Sequence, residues 1–182
     1  MLLIFLVLCS CKKEEAPKEK KWYDYYDGQL TLKRNGKEKK FKLLALTNDT
    51  IFWINIADVR DDFAWDEAEA ASIPLQEGTY ILEDYRAWKF GPDTFASSVS
   101  TAYYNGSFNQ GSDVATPNYL RKDRPRFITL STYDPVNKTV SGTFSMSFKR
   151  DSSSQKDNRL DTVSYTDAVF SATLHHRDEL PQ

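Results

Sequence analysis

The sequence predicts an all-β domain: an antiparallel β-sandwich, with a flattened β-barrel as the alternative architecture. Three observations carry that expectation. No long segment keeps the apolar period of an amphipathic helix, while short runs rich in β-branched and aromatic residues recur along the chain. Between these runs lie turn residues, among them Asn35-Gly36, Asn48-Asp49 and Asn105-Gly106, at the spacing of a strand-and-turn protein. After a charged N-terminal stretch about 160 residues remain, enough for one domain with a sizeable core and too few for two ordinary ones.

The chain opens on a different kind of segment. Residues 2–8 are an unbroken apolar run, and at about 1.5 Å per residue even a helix through Cys9 rises only ~12 Å against a bilayer core of ~30 Å. A run this short, ending in small residues, reads as a secretion signal over residues 1–10, although no Lys or Arg precedes it. Leu8-Cys9-Ser10-Cys11 resembles a lipobox, the cleavage and acylation signal of bacterial lipoproteins. The resemblance implies lipidation at Cys11 and the membrane as a partner through that lipid. Cys9 fits worse, because the bulky Leu8 would occupy the position that should be small. With cleavage before Cys11, no internal disulfide is available and the domain depends on its core.

Residues 11–21 are charged, poor in aliphatic residues and carry Pro17, so they are expected to be a disordered tether. Their Lys12-Lys13-Glu14-Glu15 opening resembles the tag that sends some lipoproteins to the outer leaflet of the outer membrane. It implies a lipid-anchored, surface-exposed location, with a periplasm-facing one as the alternative. The net charge is −2; the tether's five Lys and three Glu contribute +2 and the signal carries none, which leaves −4 from Trp22 onward. A mildly acidic domain argues against nucleic acid as a partner. The basic stretch Lys33-Arg34-Asn35-Gly36-Lys37-Glu38-Lys39-Lys40 straddles a turn and reads as a solvated hairpin end.

Within the single domain, 22–176, Leu30-Thr31-Leu32 alternates and Asn35-Gly36 tolerates the positive φ of a tight hairpin, so residues 41–46 are expected to return as the partner strand. Asn48-Asp49 turns the chain into residues 51–56, whose apolar density on both faces suits a central strand. Residues 61–72, with Phe63-Ala64-Trp65-Asp66-Glu67-Ala68-Glu69-Ala70-Ala71, are rich in helix formers with acids near the start, and one short helix is expected there. Ile73-Pro74-Leu75-Gln76-Glu77-Gly78 turns into a strand over 79–82, and residues 98–104 form another. Residues 109–124 read as a long polar loop. Strands over 127–133, 139–148 and 162–174 complete the set. In the middle one Val140, Gly142, Phe144, Met146 and Phe148 should face the core and the intervening Thr and Ser the solvent. Residues 151–158 form a solvated loop and 177–182 a flexible tail.

This order resembles a family of small all-β cell-envelope lipoprotein domains of unknown function. The matching residues are Asn35-Gly36, Gly78-Thr79-Tyr80, Tyr103-Tyr104, the Val140-Ser141-Gly142-Thr143-Phe144-Ser145-Met146 strand, and Ala168-Val169-Phe170-Ser171-Ala172. Met146 stands where the family tends to have Phe. The resemblance implies a sandwich-like fold and an envelope location, and it lends no catalytic residue.

The chemistry-bearing groups are sparse. Asp58, Asp61, Asp62 and Asp66 are the calcium candidates, since that ion takes several oxygens, but their spacing is not that of an EF-hand and no central glycine is present. His175-His176, the only histidines, lie by the tail; histidine acid/base chemistry would need that tail to fold back onto a cleft. No nucleophile elbow, phosphate loop or cofactor motif is present, so no cofactor is expected. Glu77, Glu83, Asp84 and Asp93 are the carboxylates open to a glycosidase-type pair, and nothing in their spacing singles them out. The aromatic residues exceed what a small core requires, and Trp65, Trp88, Tyr103 and Tyr104 are the candidates for an exposed ligand platform. Asp49-Thr50-Ile51 and Asp161-Thr162-Val163 resemble a bacterial O-glycosylation acceptor. The expectation is a non-catalytic binding or structural module with a glycan or envelope-protein ligand. The alternatives are a carboxylate-dependent hydrolase and a periplasmic inhibitor or immunity-type protein.

Overall fold

A computed structural model describes residues 20–60, 63–84, 101–105, 118–150 and 162–180. Cys11 and the rest of the lipobox, Asp61, Asp62, Trp88 and Asp93 lie outside the described residues. A 3-10 turn (Trp22–Tyr25) leads into twelve strands: β1 (Gln29–Arg34), β2 (Lys37–Lys39), β3 (Lys42–Thr47), β4 (Ile51–Arg60), β5 (Phe63–Pro74), β6 (Gly78–Ile81), β7 (Glu83–Asp84), β8 (Thr101–Asn105), β9 (Asn118–Leu120), β10 (Phe127–Asp134), β11 (Thr139–Arg150) and β12 (Thr162–His176). A second 3-10 turn (Arg177–Glu179) follows directly.

All twelve belong to one sheet, ordered β6-β10-β11-β12-β3-β4-β5-β8-β7, with β1 and β2 branching from β12 and β9 from β11. The sheet is nearly closed, so the barrel-like alternative stands in place of the two-sheet sandwich expected first. The cause is the length of β12. Over 165–171 one of its edges pairs with β1, and over Leu174-His175-His176 it pairs with β3, while the other edge follows β11. One fifteen-residue strand thus stitches together what would be two sheets. The sheet is also mixed, because β12–β3 and β7–β8 run parallel.

At the seam, the two ends of the strand order, β6 and β7, are joined through the single residue Leu82, which is fully buried. Its N–H donates to Arg126 O at 2.9 Å, and the Arg126 guanidinium donates to Leu82 O and to Glu83 Oε1. Asp84 Oδ2 accepts the Leu120 N–H at 3.1 Å in a buried setting, tying β7 to β9.

The helix expected over 61–72 is not formed: residues 63–74 are β5, paired with β4 on one side and β8 on the other. The residue types favour a helix, but Ala68 and Ala70 are fully buried with the half-buried Glu69 between them, a period of two. Pairing on both edges and burial of the alanine face override propensities worth only tenths of a kcal/mol per residue. The first hairpin is also shorter than expected. Asn35 (φ 51) and Gly36 (φ 76) make the turn, yet the partner of β1 is β2, while β3 pairs with β4 and β12. Within the expected loop 109–124, residues 118–120 form β9 on β11.

The main core fills the barrel with Phe52, Phe144, Phe148, Phe170, Tyr165 and aliphatic residues of nearly every strand. A second cluster, Tyr26, Leu44, Leu46 and Ala57 with Tyr25, Trp53 and Leu180 against it, covers the other side of β3 and β4. Both faces of these strands are therefore apolar, as the composition of 51–56 implied. At Asp167 (φ 52) an extra residue enters β12, so buried positions shift from Val163 and Tyr165 to Ala168, Phe170, Ala172 and Leu174.

Candidate functional site

Four connections meet at one end of the barrel, each built by its local sequence. In the β3–β4 turn, Asn48 Oδ1 accepts the N–H groups of Thr50 (3.2 Å) and Ile51 (3.1 Å), which lets Asp49 adopt φ 73. In the β10–β11 turn, Asp134 Oδ1 accepts from the N–H of Val136 (2.9 Å) and of Asn137 (3.0 Å), and Oδ2 from the Asn137 amide (2.7 Å). Those donors hold the Asp134 carboxyl below the usual carboxylate range. Leu75 follows β5, its N–H reaching Thr50 O. The second 3-10 turn closes the end: its backbone accepts the Tyr25 hydroxyl at Glu179 O (2.8 Å), and Leu174 N–H donates to Lys138 O (2.7 Å).

Between them lies an open cleft of about 330 Å³ lined by Thr47, Asp49, Leu75, Tyr133, Pro135, Lys138, Leu174, His176 and Glu179. Leu75, Leu174 and Pro135 give it an apolar wall, and Tyr133 rests partly on the main core. Its polar groups face one another: His176 Nε2 lies 3.8 Å from Asp49 Oδ2, and Lys138 Nζ 4.0 Å from Glu179 Oε1. His176 Nδ1 accepts the Asp178 N–H at 3.4 Å and lies 3.6 Å from Asp178 Oδ2. The Thr47 hydroxyl donates to Ile51 O (2.9 Å) and accepts from Asp49 N–H (2.9 Å), so it belongs to the turn. The arrangement offers donors, acceptors and an apolar surface for recognition; no activated nucleophile stands beside His176 among the described residues.

His175 points away from this cleft. It is buried, with Nε2 3.1 Å from Asp27 Oδ2 and its ring edge-on to Tyr25 at 5.2 Å, and so pins the N-terminal segment to the last strand. Both histidines were placed near a tail by the sequence, whereas β12 runs through them and the chain beyond is folded back as a 3-10 turn.

The other sequence-level candidates are dispersed. Asp58 sits on β4 and Asp66 on β5, and no metal-binding group of three or more His, Cys, Asp or Glu occurs among the described residues. Trp65 is on β5; Tyr103 and Tyr104 are on β8, opposite Glu69 and Ala68 respectively. The cleft draws on none of these. Of the four carboxylates considered for hydrolysis, Glu83 is engaged by Arg126 (2.6 Å) and Lys122 (3.4 Å), which hold its carboxyl below the ordinary range, with the Arg126 hydrogen bond the larger cause. Asp84 serves the seam and Glu77 is exposed on a turn. Thr50 is exposed and hydrogen-bonded to Asn48 Oδ1 (3.2 Å).

The cleft residues Asp49, Tyr133, Lys138, His176 and Glu179 escaped the sequence reading as a group. Each turn was legible through its Asn, Asp or Pro, but which turns converge depends on the parallel β12–β3 pairing, and that leaves no local mark. Comparison with protein-family models, with curated proteins and with solved structures finds no match.

Proposed function

We propose that the chain is a lipid-anchored, non-catalytic binding module of the cell envelope, held to the outer membrane through Cys11 and recognising a glycan or an envelope protein in the cleft at the end of the barrel. The observation that carries the binding part is the cleft itself. It is built from four separate pieces of chain, pre-formed by tight turns, and mixes an apolar wall with a Lys138–Glu179 ion pair and a His176–Asp49 contact, the composition of a recognition site. The anchor part rests on Leu8-Cys9-Ser10-Cys11, the apolar run before it and the charged tether after it. The likeness of the Val140-Ser141-Gly142-Thr143-Phe144 strand and its companions to small envelope lipoprotein domains supports the same reading.

Two experiments separate the parts. Labelling with an azide-tagged fatty acid in a bacterial host is expected to mark the wild type and spare Cys11→Ala, with protease shaving of intact cells removing the surface-displayed protein; label retained in the variant overturns the anchor. Glycan arrays and envelope pull-downs with wild type and Lys138→Glu are expected to give a ligand that the variant loses. Empty arrays and pull-downs, or a ligand indifferent to Lys138, overturn the cleft as its seat.

A further inference from the structure

The N-terminal segment joins the fold at the rim of the cleft. Lys20 is the first of the described residues, and its ammonium lies over the Tyr25 ring, 5.2 Å from the centroid. The Tyr25 hydroxyl donates to Glu179 O (2.8 Å), in the 3-10 turn that forms part of the cleft lining. From Lys20 back to Glu14 is six residues, and at about 3.4 Å each an extended chain reaches ~20 Å. The cleft, at about 330 Å³, is the size of a cube ~7 Å on an edge, so residues 14–18 can cross it from where they are attached. Their composition matches its lining. Lys12-Lys13-Glu14-Glu15-Ala16-Pro17-Lys18-Glu19 is charged everywhere except at Ala16-Pro17. The cleft sets Lys138 and His176 to meet acids, Asp49 and Glu179 to meet lysines, and Leu75, Pro135 and Leu174 to meet the apolar pair. Its own contacts are loose: Lys138–Glu179 spans 4.0 Å and His176–Asp49 3.8 Å, with the Lys138 and Asp49 side chains 67% and 87% exposed. Exposed pairs at such distances contribute little, so exchanging partners costs little. Pro17 fixes its own φ, which lowers the entropy lost when an extended segment is laid down.

We infer that residues 14–18 of the chain itself occupy the cleft as a strap, with Ala16-Pro17 against the apolar wall and Glu14-Glu15 toward Lys138. Attachment at the rim makes this occupant stronger than its few contacts suggest. A short linker holds its end at an effective concentration in the millimolar range, so a contact with a Kd of about 1 mM, negligible between separate molecules, fills much of the cleft. The same segment of a second copy, present at micromolar concentration, has no such advantage. An outside ligand must displace the strap, and its apparent affinity falls in proportion to the fraction of clefts that stand open. As regulation, the inference rests on the cleft being a recognition site; the docking itself does not.

The test is zero-length carbodiimide cross-linking of the full chain, in mild detergent, read by peptide mass spectrometry with Lys138–Glu179 as the internal reference link. Expected are links from Lys138 to Glu14 or Glu15, formed within one molecule when light and heavy-isotope chains are mixed. The Ala16→Gly/Pro17→Gly variant keeps every charge and the length of the segment. In it the ratio of those links to the Lys138–Glu179 link is expected to fall roughly threefold or more as the apolar contact and the fixed φ are lost, with an unchanged thermal melt showing that it folds. A Lys138 link to Glu179 alone, links between molecules only, or an unchanged ratio in the variant overturns the inference. Glycan arrays and pull-downs read an outside ligand, whereas the cross-link needs none, so failure of the cleft as a recognition site and failure of the strap are distinguishable.

Discussion

Gly142 shows how far a single residue fixes this fold. A Cβ there would stand 1.9 Å from Thr129 O and 3.0 Å from two ring carbons of Phe170, so neither the backbone of β10 nor the aromatic ring laid over the glycine can give way cheaply. Gly142→Ala is expected to destabilise by about 3 kcal/mol or more, read from urea unfolding, since overpacking here meets backbone. Gly28→Ala, whose Cβ would meet the side chains of Leu43 and Ala172 at 2.9–3.0 Å, should be milder. The alternation through Val140, Gly142, Phe144, Met146 and Phe148 was legible as a core face, and all five are buried. Ser145 and Ser147, expected to be wet, are buried as well, at 7% and 5% exposure. Asp134 carries a pH prediction. Its folded-state carboxyl titrates below the ordinary value because Asn137 and Val136 donate to it, so its contribution is present above about pH 4 and is lost as pH falls through the lowered folded value. Asp134→Asn should therefore flatten the acid limb of a stability-against-pH curve while leaving its neutral-pH shape, measured by denaturant unfolding at successive pH values.

At the scale of elements, the misread segment and the seam share a cause. Residues 63–74 look helical when read alone, because Ala and Glu are good helix formers and Phe63 and Trp65 give no clear period. They become β5 because both neighbouring edges are open to them, and a residue as small as Ala suits the fully buried positions 68 and 70. A sequence window sees propensity and misses partners, which is also why β2 and the two-residue β7 were not foreseen. One bond of the β7 seam is directly testable. Asp84→Ala removes the acceptor of the buried Leu120 N–H, leaving a desolvated donor, and is expected to cost about 1–3 kcal/mol. Amide exchange should quicken first at Leu120 and its neighbours, well before the β11–β12 ladder. Uniform protection at Leu120 in the variant would mean that β9 is held by β11 alone.

For the whole molecule, the decisive strand is the last. β12 pairs with β11 along most of its length, with β1 at the start of the domain, and with β3 through only three residues, Leu174, His175 and His176. That three-residue parallel contact joins the two halves of the sheet, positions the cleft and, through His175–Asp27 and Tyr25–Glu179, fastens the N-terminal turn. Fold class was legible from period and turns because those are local, whereas closure depends on contacts between residues more than a hundred positions apart, such as Leu46 with His175. The same fact makes closure of the sheet wait on β12, since joining segments over such separations is slow. A chain ending at Thr173 keeps the residues that pair with β11 and β1 but lacks the β3 contact, the buried Leu174 and the turn that receives Tyr25. It is expected to retain strand signal in far-ultraviolet dichroism while losing near-ultraviolet signal and cooperative melting, with protease cutting first between β1 and β5. A truncated chain that melts cooperatively near the full-length temperature would show instead that β4–β5 and β10–β11 pairing suffices to hold the two halves together, and that the parallel contact only shapes the cleft.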